Sequence, residues 1–212
     1  MYRPPAFRED DPTQLRRIMR EARLATLVTA TDEGLMATPL PLFLDDREGT
    51  YGVLYGHVAK ANPQCQKPAI GEALALFAGP DAYVSPSWYA AKQEHGKVVP
   101  TWNYAMAQVR GELIVHDDEK WVRGQAGKLT KMMEAPEPVP WKMADAPREY
   151  TAGMLADIVG IEIPIRSLAG KIKASQNRLL EDAAGAVAGL RNRGSDADLA
   201  MADLIERVRS TR

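Results

Sequence analysis

The chain of 212 residues carries 27 basic and 28 acidic side chains, which gives a net charge of −1 at pH 7. This balance excludes a global positive field of the kind that attracts nucleic acid or anionic membranes. The single cysteine, Cys65, cannot form an internal disulfide, and the sequence has no CxxC pair and no histidines at metal-ligand spacing. Since no apolar run approaches the roughly 20 residues that span a bilayer and the N-terminus is too polar for a signal peptide, we expect a cytoplasmic protein without membrane or metal sites.

The first half of the chain predicts one helix followed by closely spaced strands. "DDPTQLRRIMREA" starts a helix, because Asp11 can cap it and Pro12 suits its first turn. Strands are expected over 25–30, 36–46, 49–59, 73–86 and 104–117. Strands at such short intervals, without long helices between them, favour an antiparallel barrel or sandwich.

After residue 117 the pattern becomes helical. Helices are expected in "DDEKWVRGQAGKLTKMMEA", "REYTAGMLADIVG", "SQNRLLEDAAGAVAGLRNRG" and "SDADLAMADLIERVR". "IEIPI" predicts a short strand between the second and third of these helices. Ser195 is the expected cap of the last helix.

Two prolines two residues apart, Pro39 and Pro41, interrupt the strand "ATPLPLF". Backbone N–H groups two apart point the same way, so one side of this strand lacks two donors and cannot carry a normal ladder. We therefore expect the strand at an edge or opening of the barrel. Leu40, Leu42 and Leu44 lie on the opposite side-chain face and can pack inward.

"GHVAKANPQ" is the first candidate binding segment. It places His57 and Lys60 three residues apart, beside Asn62, which can cap a helix that begins at Pro63. A lysine beside a helix start suits a phosphate. A surface lysine, a capping asparagine and a histidine bonded to the backbone explain the same residues without a ligand.

Three further segments combine rings with hydroxyls and amides. Ser85 and Trp88 lie in "AYVSPSWY", Trp102 and Asn103 in "VPTWNY", and Gln176 in the polar run "KIKASQNR". An aromatic lid over the core, cross-strand packing and a helix cap are the structural alternatives. The sequence has no dinucleotide, P-loop, HExxH or GxSxG motif, so no catalytic residue is assigned. Rings, amides and a phosphate-binding segment together suit a flat heterocycle with a phosphate tail at the gap of a barrel.

The chain resembles the PaiB family of FMN-binding negative transcriptional regulators, which belongs to the FMN-binding split-barrel superfamily with pyridoxamine phosphate oxidase. The resemblance is carried, in the family's order, by "MYRPPAF", "ATPLP", "GHVAKANPQ", "GPDAYVSPSWY", "VPTWNY" and "KASQNR". It implies a mainly β protein with peripheral helices: an FMN-binding split barrel over residues 1–178, and a C-terminal helical extension over 179–212 that packs on it. It also implies a homodimer with FMN at the subunit interface.

The resemblance also implies the cofactor-binding residues. Thr38 and Pro39 would meet the flavin or its ribityl chain, and Lys60 would hold the phosphate. The other implied residues are His57, Asn62, Ser85, Trp88, Trp102, Asn103 and Gln176. Trp102 and Asn103 would approach the ring, with the partner subunit as a candidate source.

Three functions stay open at this point. The first is a regulator whose effect on transcription can be indirect, because no helix-turn-helix is evident and DNA binding is doubtful. The second is a flavin-dependent oxidoreductase acting on a small molecule. The third is a haem-binding or haem-degrading protein, with His57 or His95 as the axial candidate.

Overall fold

The computed structural model of the protein describes residues 1–210. Its strands are β1 (Arg8–Glu9), β2 (Leu24–Thr31), β3 (Gly34–Asp45), β4 (Val53–Ala59), β5 (Ala73–Val84), β6 (Thr101–Gly111), β7 (Ile114–His116) and β8 (Ile158–Lys173). Its α-helices are α1 (Pro12–Glu21), α2 (Pro63–Gln66), α3 (Ala90–Glu94), α4 (Glu119–Glu134), α5 (Arg148–Ala156), α6 (Leu180–Arg193) and α7 (Asp196–Ser210). Short 3-10 helices occupy Pro5–Phe7, Pro86–Trp88 and Met143–Asp145.

The strands form one sheet in the order β1-β8-β4-β3-β2-β5-β6, with β7 beside β8. An additional pairing joins β6 to β8, so the six strands from β8 to β6 form a closed sheet. Neighbours such as β2 with β3 and β4 with β8 pair antiparallel, the first pair through a tight turn and the second between distant parts of the chain. The expected mainly β fold with peripheral helices is therefore confirmed.

The chain divides into two compact units, each assembled from separate segments. Of the described residues, unit 1 contains 1–18, 78–107 and 169–210, and unit 2 contains 19–77 and 108–168. The domain boundary expected after residue 178 stays a prediction. Residues 211 and 212, at the end of the expected C-terminal extension, lie outside the described residues.

In unit 2, β3 changes its partner along its length. Residues 34–41 pair with β2, and the pairing with β4 begins at Leu42. The amide of Leu42 donates to the carbonyl of Arg23 on the β2 side at 2.9 Å, so the nitrogens of Pro39 and Pro41 face away from β2. On that side no strand within residues 1–210 pairs with 34–41. This confirms the opening that the two prolines predict.

The two faces of β3 differ as expected. Leu40 and Leu42 are buried, and Leu44 is half-buried. The opposite face exposes four apolar side chains, which we call the β3 apolar row: Leu35, Ala37, Pro39 and Pro41.

Helix α4 covers one face of β3 and β4 in unit 2. Asp118 caps the helix by accepting a hydrogen bond from the Trp121 amide at 2.7 Å. The core beneath it contains Phe43, Tyr55 and Leu129. Burying side chains of this size stabilises the fold by roughly 1.5–3 kcal/mol each.

Two strand boundaries expected from the sequence are wrong. "IEIPI" is only the start of β8, which continues to Lys173. Within unit 1 its continuation passes close to α1 at Gly170, where an added Cβ would lie 2.0 Å from Leu15 Cδ2. The strand expected over 104–117 breaks after Gly111, where a Cβ would lie 2.2 Å from the Pro164 carbonyl oxygen. Neither close approach can be predicted from the pattern of hydrophobic residues.

The C-terminal helices belong to unit 1. α6 ends at Gly194, whose φ of 75° is the left-handed conformation that ends many helices. Ser195 accepts from the Asp198 amide at 3.2 Å, which confirms the predicted cap of α7. The helix expected from Ser175 begins only at Leu180, because residues before it form a turn.

Candidate functional site

The segment after β4 brings two predicted residues together in unit 2. Asn62 caps α2, since its side chain accepts from the Gln64 amide at 2.9 Å. Its amide nitrogen donates to Thr38 Oγ1 at 3.1 Å. The helix start predicted at Asn62 is confirmed, and Pro39, next to Thr38, is exposed on the opposite face of β3. The hydroxyl of Thr38 is thereby fixed in orientation beside the start of α2.

Lys60, two residues earlier, forms an ion pair. Its Nζ lies 2.6 Å from both carboxylate oxygens of Asp117. The side chains remain 51% and 62% exposed, respectively. Both line a cavity of about 190 Å³, which Glu119 also lines. The predicted phosphate ligand therefore lies among acidic side chains. We call this cavity the Lys60 cavity.

Packing behind β7 fixes the carboxylate that meets Lys60. His116, one residue before Asp117, contacts Glu162 Oε2 through Nε2 at 2.7 Å and stacks on Trp121 with ring centroids 3.9 Å apart. Gly160 leaves room for that indole, because a Cβ there would lie 2.0 Å from Trp121 Cζ3. Asp117 thus follows a rigid strand end and is held beside the lysine.

A larger apolar cavity, of about 450 Å³, adjoins the Lys60 cavity, and Leu155 and Ile158 line both. It lies among α4, α5, the segment between them and His57 on β4. The other side chains that line it are largely apolar and aromatic: Ala126, Leu129, Thr130, Met133, Glu134, Trp141, Met143, Ala146, Tyr150, Thr151 and Met154. Cavities of this volume with few polar groups are typical small-molecule sites. We call it the His57 cavity.

His57 contributes the imidazole of that cavity. Burial lowers the pKa of His57, so the ring is neutral at pH 7 and has one donor and one acceptor nitrogen. A neutral imidazole between apolar walls can hydrogen-bond a heterocycle without introducing a charge.

These two cavities can be tested against FMN, whose planar ring and phosphate need different surroundings. The His57 cavity fits the ring in volume and lining. The Lys60 cavity fits the phosphate if Lys60 exchanges Asp117 for it. An exposed ion pair contributes roughly 0.2–1 kcal/mol, whereas a charge-assisted hydrogen bond contributes roughly 1.5–3 kcal/mol. The bond to a phosphate is therefore the stronger of the two, and Asp117 competes with the phosphate for Lys60.

Of three predicted residues in unit 1, two make contacts of structural character. Ser85 accepts from the Ser87 amide at 3.2 Å and so caps a short 3-10 helix. Trp88 packs on α6, where a Cβ at Gly189 would lie 2.2 Å from the indole. Trp102 differs, because its side chain is 56% exposed. The first two resemble the packing alternative, and the indole of Trp102 is accessible to a ligand or partner.

Asn103 and Gln176 organise the turn after β8, also in unit 1. Asn103 is buried and donates to Ser175 Oγ at 2.9 Å. Gln176 accepts from the Ala174 amide and donates to the Ile172 carbonyl, both at 2.6 Å. Since both ends of the Gln176 amide are engaged by its own turn, the contacts give it a positioning role. Its role as a flavin ligand stays a prediction, as does that of Asn103.

Sequence reasoning missed several residues of these sites. Asp117 and Glu119 carry a visible signal, namely the acidic run that follows a strand. Tyr150 and Met154 lie in the predicted helix "REYTAGMLADIVG", and nothing local indicates that they line a cavity. Buried Gln64 was also missed: it donates to the Leu27 carbonyl at 3.1 Å and so ties α2 to β2.

Within the part of the chain that the structure describes, no helix has the length and apolar character to cross a membrane. No three His, Cys, Asp or Glu side chains of that part are grouped as metal ligands would be.

The chain matches a known protein family and relatives that it covers over almost their full length. Residues 1–167 match the family described as "Putative FMN-binding domain". An uncharacterised protein of Emericella nidulans is 33% identical, over 97% of this chain and 96% of the relative. Protease synthase and sporulation protein PAI 2 of Bacillus subtilis is 30% identical, over 97% of both chains.

Solved structures share the fold at low sequence identity. The flavocytochrome Anf3 of Azotobacter vinelandii gives a TM-score of 0.55 at 14% identity, covering 78% of this chain and 69% of that chain. The FAD and haem binding protein of Mycobacterium smegmatis gives 0.55 at 16% identity, covering 78% and 73%. At such identities the likeness speaks for the fold alone.

The chain is therefore an FMN-binding domain protein with the split-barrel fold. It belongs to the PaiB family, as its sequence motifs predict, and its cofactor is FMN.

Proposed function

We propose that the protein is a negative regulator of transcription that binds FMN and acts without a dedicated DNA-reading helix. The single observation that carries the flavin part is the pair of adjoining cavities in unit 2, one apolar and one containing Lys60. The regulatory part is supported by the full-length likeness to a Bacillus protein named for protease synthesis and sporulation. We place this activity in the cytoplasm, because its reducing conditions keep a single free cysteine in the thiol form.

In this proposal Lys60 bonds the phosphate, while Asn62 and Thr38 lie beside it. Pro39, on the exposed edge of β3, leaves the strand open for the ribityl chain. The neutral ring of His57 bonds a heteroatom of the isoalloxazine. When bound, FMN supplies one- and two-electron redox chemistry.

The remaining predicted cofactor residues all belong to unit 1: Ser85, Trp88, Trp102, Asn103 and Gln176. For them we propose a supporting role, in which the exposed indole of Trp102 reaches a flavin held by the partner copy.

A homodimer is part of this proposal, and the β3 apolar row supports it. Leu35 is 79% exposed on that row. Leu24, opposite Pro41 in the ladder, is exposed as well. We expect Leu35→Glu to convert the dimer to monomers at micromolar concentration in sedimentation velocity, with Glu48→Gln as an exposed control. A wild-type protein that is monomeric when saturated with FMN would contradict the dimer.

The charges near the arginine-rich helix support an indirect effect on transcription. Arg20 is paired with Asp46 at 2.5 Å, and Arg23 donates to the Arg20 carbonyl at 3.0 Å. In unit 1, Arg191 on α6 bonds Asp203 and Glu206 of acidic α7 at 2.9 and 2.8 Å. We expect no submicromolar, sequence-dependent binding to the promoter of its own operon at about 150 mM salt. Such binding in an anisotropy titration would restore direct repression.

A flavin-dependent oxidoreductase is the second candidate, favoured by a neutral imidazole in the wall of a cavity of about 450 Å³. Turnover of a metabolite panel by the reduced or oxidised protein separates it from the regulator.

The flavin part is tested by absorbance spectra recorded during titration with FMN and, separately, with haemin. We expect saturable flavin binding and quenching of flavin fluorescence. A Soret band that shifts on His57→Ala, together with no flavin binding, would favour the haem alternative instead. His95→Ala tests the other axial candidate, whose Nδ1 accepts from the Lys97 amide at 3.0 Å on an exposed loop.

A further inference from the structure

Unit 1 contains a polar cavity whose cations the flavin proposal does not use; of its lining residues, only Asn103 has a supporting role there. Its volume is about 200 Å³, and it lies where the turn after β8 meets the start of β6. The residues that line it are Phe7, Tyr89, Val99, Thr101, Asn103, Lys173, Ser175, Asn177 and Arg178. This set has two cations and several neutral hydrogen-bonding groups, and no carboxylate. We call it the Lys173 cavity.

Neither cation of the cavity is paired with an acid among residues 1–210. Lys173 donates to Thr101 Oγ1, and the guanidinium of Arg178 lies 4.6 Å from the centre of the Tyr89 ring. Burial lowers the pKa of Lys173; the side chain of Tyr104 acts against this shift, and the charges of Lys171 and Arg178 act with it. The cationic form of Lys173 is therefore held without a counter-ion in partly desolvated surroundings, which an anion would relieve.

A buried donor also faces this region. The hydroxyl of Tyr89 is buried and makes no hydrogen bond that meets normal geometry within the described chain. Burial raises the pKa of Tyr89, so the hydroxyl keeps its proton at neutral pH. Asp182 on α6, whose charge also raises the pKa of Tyr89, is engaged elsewhere, because its Oδ1 accepts from the Ala91 amide at 2.9 Å. Ser175 and Arg178 interact with this hydroxyl and act on its pKa in the opposite direction, so both lie beside it. A buried hydroxyl proton left without an acceptor is costly unless a ligand accepts from it.

The turn that carries the cations is rigidly built. Ser175 has a φ of 58°, which is uncommon for a residue with a side chain. The Gln176 side chain bonds the backbone of Ala174 and Ile172, just before Ser175. Arg209 of α7 donates to the carbonyls of Ser175 and Arg178, at 3.3 Å each. A strained conformation that neighbouring bonds over-determine is typical of a ligand site, and here it sets the positions of Lys173 and Arg178.

We propose that the Lys173 cavity is an oxyanion site that binds the phosphate group of a small phosphorylated ligand other than FMN. Lys173 and Arg178 supply charge-assisted hydrogen bonds, and the hydroxyls of Tyr89 and Thr101 with the amide of Asn177 supply neutral ones. A tetrahedral dianion accepts from several donors at once, which matches a small cavity with this many donors and no acid.

Isothermal titration of the purified full chain with inorganic phosphate tests this proposal. We expect saturable binding, with sulfate as a competitor. Lys173→Met and Arg178→Gln should each weaken it about tenfold or more, because each removes a charge-assisted bond. Lys92→Met is the matched control: its exposed ammonium, also in unit 1, contacts only the Ser87 hydroxyl among the described residues. It should leave the affinity unchanged.

A second variant keeps the test decisive if a cation variant folds poorly. Asn177→Asp adds a carboxylate at an exposed position of the cavity lining and should abolish phosphate binding while the circular dichroism spectrum stays native. Absence of saturable phosphate binding to wild type, or equal losses in Lys173→Met and Lys92→Met, overturns the proposal. So does a preference for acetate over phosphate.

FMN and riboflavin affinities of Lys173→Met identify the source of the phosphate. Unchanged FMN affinity supports a separate phosphorylated ligand. Selective loss of FMN affinity, with riboflavin affinity intact, would place the cofactor's own phosphate here. That result would overturn both the separate ligand and the Lys60 assignment, while free-phosphate binding would still report the oxyanion site.

Discussion

Two cavities of nearly equal volume differ in charge. The Lys60 cavity, in unit 2, has about 190 Å³ and contains one cation facing Asp117 and Glu119. The Lys173 cavity, in unit 1, has about 200 Å³ and contains two cations and no acid. The presence of a lysine therefore does not define a phosphate site; the charge of the groups that face it does. The Lys60 cavity must exchange a partner to bind an anion, whereas the Lys173 cavity needs none.

The largest change in stability is expected from Leu129, a buried residue in the wall of the His57 cavity. Leu129→Ala removes a buried side chain that packs against Phe43 and Tyr55 and also lines the His57 cavity. We expect the free energy of unfolding to fall by about 2–5 kcal/mol, measured by urea denaturation. Flavin affinity should fall with it, and phosphate binding to the folded protein should not. A loss below about 1 kcal/mol would contradict the packing described for α4.

Lys60→Ala removes the cation of the Lys60 cavity. We expect FMN to bind about tenfold or more weakly, because a charge-assisted bond of roughly 1.5–3 kcal/mol is lost. Riboflavin, which lacks the phosphate, should change far less. Fluorescence titration with the two ligands gives the ratio, and equal losses for both would sink the assignment. Lys67→Ala, which removes a lysine paired with Glu33, is the control.

Lys173→Met should raise the melting temperature at pH 7 in the absence of phosphate. The folded-state pKa of Lys173 lies below that of the unfolded chain, so protonation favours the unfolded state. The folded protein therefore loses stability as the pH falls through the unfolded-state pKa of Lys173, and this cost is present at pH 7. Removing the amine should raise the melting temperature by at most about 2–4 °C, with a smaller gain near pH 11. A lower melting temperature at pH 7 would mean that the charge is compensated.

Asp117→Asn should have the smallest effect. It removes the competitor of the phosphate for Lys60, and an exposed pair contributes only roughly 0.2–1 kcal/mol. We expect FMN to bind up to about fivefold more tightly, with riboflavin unchanged. Weaker FMN binding would show that Asp117 positions Lys60 rather than competing for it.

Much of the fold could be predicted because local patterns determine it. Pro39 and Pro41 predicted an opening, since an absent N–H group is a fact of the sequence itself. The caps at Asn62 and Ser195 were equally local. The length of β8 was not predictable in this way, because it depends on Gly170 admitting Leu15 from a distant part of the chain.

The candidate sites were only half predictable, for the same reason. The segment "GHVAKANPQ" predicts Lys60 and Asn62 as binding residues. Asp117, which pairs with Lys60, lies 57 positions away in the sequence and could not be predicted from that segment. The "KIKASQNR" run suggested a helix cap, because nothing local shows that Ser175 turns left-handed or that Asn103 lies against it. Charges that decide ligand affinity come together through tertiary contacts and not through spacing.

Phosphorus NMR of inorganic phosphate with the wild type, Lys60→Ala and Lys173→Met tests the difference between the two cavities most directly. The account predicts that the wild type and Lys60→Ala both change the chemical shift of the phosphate signal and that Lys173→Met does so far less. The reason is that Asp117 and Glu119 repel a free dianion at the Lys60 cavity. Loss of the signal in Lys60→Ala, with Lys173→Met unaffected, would contradict the account.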